Sequence, residues 1–241
     1  LYKDFGLVKG IAFDSRRPVG SPMQAIKVYE LRAVDELVFL DVSASRQQRP
    51  PDYDLIDELA DECFMPLTVG GGVSRLVEVR RLLEVGADKV CIGSAAVEHP
   101  DLIDEAAAQF GSQCIVVSID FRLGPDGARV WTRSASHETV RDPVDLAREV
   151  AERGAGEILL QSIDRDGTMS GYDLEITRDV SRAVSVPVIA SGGAGSYAHM
   201  LAALKAGEAS AVAAASMFHF SEQTPLDAKN YLGANGIHVR R

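Results

Sequence analysis

The chain has 241 residues, 46 % of them hydrophobic, with 35 acidic against 25 basic side chains and a formal net charge of −10. That length and apolar share suit one large α/β domain with a full core. The acid excess argues against a nucleic-acid partner, because phosphate backbones select basic faces, and no apolar stretch approaches the ~20 residues that a membrane helix needs. No secretory leader is expected. Cys63, Cys91 and Cys114 are odd in number, widely spaced and set in apolar runs. They read as reduced core cysteines of a cytoplasmic protein. The five histidines show no metal-ligand spacing, and nothing in the chain calls for a cofactor.

Near the N-terminus the run LVKGIAF (7–13) is interrupted by lysine and glycine and reads as a loop ribbon rather than a strand. Helical spacing follows over 21–33, opened by Ser21-Pro22, an N-cap ahead of a first-turn proline. Strands and helices then alternate: strand 36–42, helix 53–63, strand 65–70, helix 74–85, strand 89–94, helix 100–110 and strand 113–120. The insert 121–141 carries the hairpin signal Pro-Asp-Gly and should project over the C-terminal face of the sheet. The alternation resumes with helix 142–153, strand 156–163, helix 173–183, strand 186–191, helix 196–206, strand 209–216 and a last helix over 224–235.

Most of the strands are continuous apolar runs, as parallel strands buried on both faces require. Asp142-Pro143 repeats the N-cap signal, and Gly86, Gly154 and Gly207 stand where helix C-caps belong. Such alternation implies right-handed βαβ units on a parallel sheet. Eight helices against seven strands predict a (β/α)8 TIM barrel whose first strand is largely missing. The chain would then begin at, or just after, the end of that strand.

Shifted by about 120 residues, the chain nearly repeats. ELVFLDVSAS from Glu36 is echoed by EILLQSIDRDG from Glu157, VGGG (69–72) by SGGAG (191–195), and CIGSAA (91–96) by AVAAAS (211–216). Three matched landmarks at one offset imply a single domain of two half-barrels, about 1–120 and 121–241. Gly70, Gly71 and Gly72 with Gly93 and Ser94 form one cluster, and Gly192 and Gly193 with Ala215 and Ser216 form the other. Glycines let backbone N–H groups approach an anion, a following helix adds positive potential, and serine adds a donor. Glycines also relieve crowding where strand meets helix, but duplication at the repeat offset favours binding of a ligand with two phosphates.

Carboxylates close several apolar runs, where a buried charge is costly without a task. Asp120 ends the most apolar strand and suits proton transfer at the barrel mouth. Asp164 to Thr168 combine acids, a cation, a glycine and a hydroxyl, which also fits a self-neutralising loop. Asp41 is the carboxylate best suited to bracing its strand, and Lys9 suits a mobile lid, although a lone lysine is more often just solvated. Glu36, Lys89 and Glu157 start alternate strands at the opposite rim. From spacing alone they read more readily as solubilising charges than as a ring about the barrel axis.

The runs DELVFLDVSAS, PLTVGGGV, GADKVCIGSAAV, FGSQCIVVSID, GAGEILLQSIDRDGTMSGYD, PVIASGGAG and AASMFHF resemble the cyclase subunit of imidazole glycerol phosphate synthase across essentially the whole chain. The resemblance implies a lyase of histidine biosynthesis that takes ammonia from a partner glutaminase in a heterodimer and passes it through the barrel. Ammonia is added to a ribotide with a phosphate at each end, yielding imidazole glycerol phosphate and an aminoimidazole carboxamide ribotide. Carried over by position, the phosphate contacts fall on Gly72, Gly93 and Ser94 at one end and on Gly193, Ala214, Ala215 and Ser216 at the other. Asp120 matches a catalytic carboxylate, and Asp166, Gly167 and Thr168 lie in the substrate-contacting loop. Lys9 matches a mobile-loop lysine, and Glu36, Lys89 and Glu157 match the ammonia gate, which reverses the spacing-based preference there.

Two positions depart from the family pattern. A second aspartate is expected eight positions ahead of Lys9, where this chain has Leu1, and asparagine is expected at Gly93. Leucine cannot shuttle protons. The stretches LYKDFGLVK and ECFMPL are similar to a divergent branch, also partnered with a glutaminase, that serves acetamidino-sugar formation in surface polysaccharides. A related phosphoribosyl isomerase, a barrel that needs no ammonia, is a competing reading against which the IDRDGTMSGYD loop and the charge ring speak. A catalytically silent barrel that regulates a glutaminase is the alternative of another class.

Overall fold

A computed structural model describes residues 1–3 and 6–240, so Asp4 and Phe5 of the LYKDFGLVK run lie outside the described residues. The N-terminal segment makes a small antiparallel sheet of β1 (Tyr2–Lys3), β2 (Gly6–Ile11) and β3 (Asp14–Gly20). The ribbon expected over 7–13 is thus a hairpin strand outside the barrel. Its two-residue tip, Ala12 and Phe13, has φ of 51° and 62°, the pairing of left-handed residues that a twisted hairpin turn demands. Tyr2 bridges Asp41 in parallel, and Val42 N–H donates to the Tyr2 carbonyl at 3.0 Å. The first residues therefore run beside the place where a first barrel strand ends.

The barrel alternation follows as α1 (Pro22–Leu31), β4 (Leu37–Leu40), α2 (Ala44–Gln47), α3 (Tyr53–Asp61), β5 (Leu67–Gly70), α4 (Leu76–Glu84) and β6 (Lys89–Ile92). Next come α5 (Ala95–Glu98), α6 (Asp101–Phe110), β7 (Ile115–Gly124), β8 (Gly127–Thr132), β9 (His137–Glu138), α7 (Pro143–Glu152) and β10 (Glu157–Ser162). The chain closes with α8 (Leu174–Ala183), β11 (Val188–Ser191), α9 (Tyr197–Lys205), β12 (Ala211–Val212), α10 (Ser216–Phe220) and α11 (Pro225–Ala234). The order β12-β11-β10-β7-β6-β5-β4 is parallel throughout. In this sheet the β7–β8–β9 hairpin, turning at Pro125-Asp126, adds antiparallel pairing. This curled parallel sheet wrapped in helices is a (β/α)8-barrel fold.

Two cores hold it. Outside the sheet, Val79 and Leu82 of α4, Ile103 of α6 and Leu146 of α7 are almost fully buried against Val90, Ile115, Ile119 and Ile158. Each such side chain contributes about 1.5–3 kcal/mol of burial. Inside the curl, Cys91, Val116 and Leu159 pack with Val38, Leu40, Ile189 and Ala213. Pleat alternation separates these two sets, since neighbours along a strand face opposite sides.

Several sequence expectations need correction. The Ser21 hydroxyl makes no capping bond, whereas Asp142 accepts from the N–H groups of Val144 and Asp145. Gly86 and Gly154 take φ of 100° and 106° after their helices. Gly207 does not; it is small because a Cβ there would stand 2.6 Å from the Ala203 carbonyl oxygen. The left-handed position falls one residue later, at Glu208, with φ 55°. The last strand spans only Ala211–Val212, because the small residues after it turn into α10. Cys91 is buried, but Cys63 and Cys114 are only partly so, and all three are free thiols. Burial pushes the Cys91 thiol up to about 12, leaving it inert as a nucleophile.

Candidate functional site

The C-terminal strand ends carry two glycine turns built alike. Gly71 and Gly72 have φ of 105° and 77°, and Gly192 and Gly193 have 89° and 101°. A Cβ on Gly71 would meet the Asp41 carbonyl oxygen at 2.2 Å, and one on Gly192 would meet that of Ser162 at 2.4 Å. Both pairs are separated by the same 121-residue offset. The next glycines do the same: Gly72 abuts the Arg49 carbonyl at 2.4 Å and Gly193 that of Gly171 at 2.1 Å. Packing alone thus requires glycine at these four positions. Gly93 differs, since a Cβ there would meet nothing within 4 Å.

Short helices follow the strands in each half: Ser94 stands just before α5 without a capping bond, and Ala214 and Ala215 lead into Ser216 at the start of α10. The Ser94 hydroxyl already accepts the Arg133 N–H at 2.8 Å. Residues after β8 form a strap over this first cluster. Arg46 donates to the carbonyls of Arg133 and Ser134, Ser134 Oγ donates to the Val42 carbonyl at 2.6 Å, and Arg133 pairs with Glu98 at 2.9 Å. Arg133, Ser134 and Ala135 all have φ between 51° and 62°, a left-handed run that L-residues adopt only under constraint. Local sequence carried no signal for Arg46 or Arg133, whose partners lie far along the chain.

Lys9 of β2 is buried beside Asp166. Burial lowers its pKa to about 8, with the Asp166 charge opposing that shift. The hairpin carrying Lys9 rests on the loop after β10. Ala12 N–H donates to the Asp166 carbonyl at 2.9 Å, and Gly167, at φ 75°, leaves room for the Gly10 carbonyl. Thr168 turns its hydroxyl back to the Arg165 carbonyl at 2.8 Å and to Ser170, within its own loop. Asp120 lies within β7, opposite Gln161 and Trp131, and accepts from Ser118 Oγ at 2.9 Å. Beside this site Tyr29 and His219 share a hydrogen bond of 2.9 Å. Burial, with help from the Lys9 charge, lowers the His219 pKa to about 4, so the imidazole is neutral at physiological pH.

At the opposite rim the three charges at alternate strands do converge. Lys89 Nζ sits 2.8 Å from Glu36 and 2.7 Å from Glu157. Burial opposes the Lys89 charge, but the bonds from both glutamates outweigh it and hold its pKa above the ordinary value. The solubilising interpretation of these residues is therefore set aside. A cavity of about 630 Å³ lies along the gap between the edge strands β4 and β12, with Ile26 and Tyr29 of α1 and Ala228 and Leu232 of α11 on its outer side, and its wall includes Glu36, Glu157, Gln161, Lys9, Asp166, Gly167, Gly193, Ala214, Ala215 and Ser216. Gly72, Gly93, Ser94, Asp120 and Thr168 are not in its wall; the first three lie with the cluster that the strap covers. Gln161, which accepts from Ser191 Oγ at 2.5 Å inside the barrel, was hidden in an apolar strand pattern. His219 was visible only within the AASMFHF run.

Residues 4–224 match the model of the family described as histidine biosynthesis protein. The chain belongs to that family. Imidazole glycerol phosphate synthase subunit HisF from two strains of Caulobacter vibrioides, NA1000 and ATCC 19089, is 49 % identical in each case over 240 residues. The match covers 99 % of this chain and 92 % of each relative. The matched span covers the strands of the barrel, both glycine turns and the three residues of the charge cluster. No helix among the described residues is long and apolar enough to cross a membrane, and among them no group of three or more His, Cys, Asp or Glu could hold a metal ion.

Proposed function

We propose that this chain is the cyclase subunit of an imidazole glycerol phosphate synthase. In this role it uses ammonia from a partner glutaminase to convert a bisphosphorylated ribotide to imidazole glycerol phosphate and an aminoimidazole carboxamide ribotide in the cytoplasm. The observation that carries the proposal is the convergence of Glu36, Lys89 and Glu157 at the rim opposite the two glycine turns. A charged plug at one rim and anion cradles at the other are what an enzyme fed with ammonia from below needs. Leu31 and Phe64, 86 % and 81 % exposed at the ends that lead into β4 and β5, give that rim apolar contacts for a glutaminase. Large exposed apolar side chains at a functional rim favour docking over solvation.

In this reading Gly72, Gly93 and Ser94 take one phosphate and Gly193, Ala214, Ala215 and Ser216 the other, through backbone N–H groups and hydroxyls. Lys9 adds positive charge below pH 8, and Asp166, Gly167 and Thr168 form the wall on which the lid closes. Asp120, which accepts a hydrogen bond from Ser118 Oγ, moves the proton. Asp120→Asn should abolish ammonia-driven turnover of the bisphosphorylated ribotide while leaving its binding nearly unchanged. Substantial residual turnover would overturn the role of that carboxylate.

One observation favours a second reading. Leu1 stands at the cavity wall where the family pattern has its other aspartate, and hydrocarbon carries no proton. The divergent amidating branch, or a barrel that only stimulates a glutaminase, would tolerate that. Stimulation of glutaminase without any ammonia-dependent ribotide consumption would decide for the second reading.

A further inference from the structure

We propose that Arg49 and Arg165 are positioning residues, one behind each glycine cradle, that lock the carbonyl against which the cradle glycine packs. The inference rests on the reading of the two glycine turns as phosphate cradles and adds the device that holds each one in shape. In the first half the wall behind Gly72 is the carbonyl of Arg49 itself. That residue is fixed by its own guanidinium: Nη2 donates to Asp41 Oδ2 at 2.6 Å and to Ser43 Oγ at 2.9 Å. Asp41 is 6 % exposed and its other oxygen accepts from Ser43 N, Ser43 Oγ and Ala44 N. The anchor is therefore rigid and rooted at the end of β4.

In the second half the wall behind Gly193 is the Gly171 carbonyl. Arg165 Nη1 donates to it at 3.3 Å, and Arg165 Nε lies 3.6 Å from Asp173 Oδ2. Asp173 is 5 % exposed and anchored at the start of α8, where it accepts from Ile176 N. Gly171 N–H in turn donates to the Gly193 carbonyl at 2.7 Å, so wall and cradle move together. The arginine and aspartate do not occupy equivalent positions in the two halves. What recurs is the arrangement: a buried aspartate, an arginine reaching it, and a carbonyl pressed on the second glycine of the turn. Two solutions to one mechanical task point to a need to keep each turn from relaxing when its anion leaves.

Inorganic phosphate titrated into the full chain, followed by calorimetry and 31P NMR, tests this. The parent should bind two phosphates. Arg49→Met should weaken one site by roughly tenfold or more and leave the other unchanged. Arg165→Met should do the same to the other site, and the double variant should weaken both. Asp41 and Asp173 keep their remaining hydrogen bonds, so both variants should fold. Arg49→Lys and Arg165→Lys, which retain the charge without the planar fork, should fall between parent and Met variant at the same single site. With the bisphosphorylated ribotide the effect should appear in KM and not in kcat. A Met variant that leaves both sites intact, or weakens both equally, overturns the proposal while the cradles stand. A parent that binds no phosphate overturns the cradles themselves.

Discussion

At the scale of single residues, desolvation sets the chemistry. Lys9 is 6 % exposed, and burial brings its pKa from 10.5 to about 8. The unfolded chain holds that proton up to pH 10.5, the folded chain only up to about 8. Between those values the unfolded state binds more protons, so stability rises with pH through that window; below pH 8 the full penalty is present. Lys9→Met should therefore stabilise the protein at pH 7, by on the order of 2 kcal/mol. Urea unfolding from pH 7 to 10.5 would check this, with the gain shrinking toward the alkaline end. A methionine variant less stable than the parent at pH 7 would contradict the burial account. The lysine was legible in the sequence only as a lid residue, because nothing local foretold that it would be buried beside Asp166.

At the scale of elements, local rules held where a periodic pattern or a cap could operate within a few residues. The eight long helices fall close to their expected spans, whereas the four- and five-residue helices α2, α5 and α10 are too short to carry a period. Caps make a sharper comparison. Asp142 accepts from Val144 N at 2.8 Å and Asp145 N at 3.2 Å, while Ser21 in the same Xaa-Pro setting accepts nothing. Asp142→Ala should cost about 1 kcal/mol in urea unfolding and Ser21→Ala close to nothing. Equal losses would mean that the proline, and not the side-chain cap, starts both helices. The strand β2 that carries Lys9 was missed as a strand because lysine and glycine break its alternation, and pairing with β1 and β3 restores it.

At the scale of the whole molecule, the duplication organises one end and the charge cluster the other. Gly71 and Gly192 pack on carbonyls one repeat apart, and each half places a short helix after a glycine- or alanine-rich strand end. The Lys89 ion-pair cluster sits at the far rim. Lys89→Ala should therefore alter the coupling of glutamine hydrolysis to product formation more than it alters turnover driven by free ammonia. Steady-state assays with glutamine and with ammonium salts compare the two directly. Equal loss in both would remove the gate from the mechanism.

The amino-acid sequence by itself determined the alternation of strand and helix, the two half-barrels and the four glycines of the cradles. The alternation follows from periodicity and the half-barrels from landmarks repeated at one offset; the glycines mark the turns, although the carbonyls that exclude a Cβ from them come from elsewhere in the chain. Tertiary structure alone decided that Lys89 lies between Glu36 and Glu157, that Lys9 is desolvated and that Arg133 straps Ser94. Those outcomes depend on the distance between charges and on exclusion of water by atoms from remote parts of the chain, which no local pattern encodes.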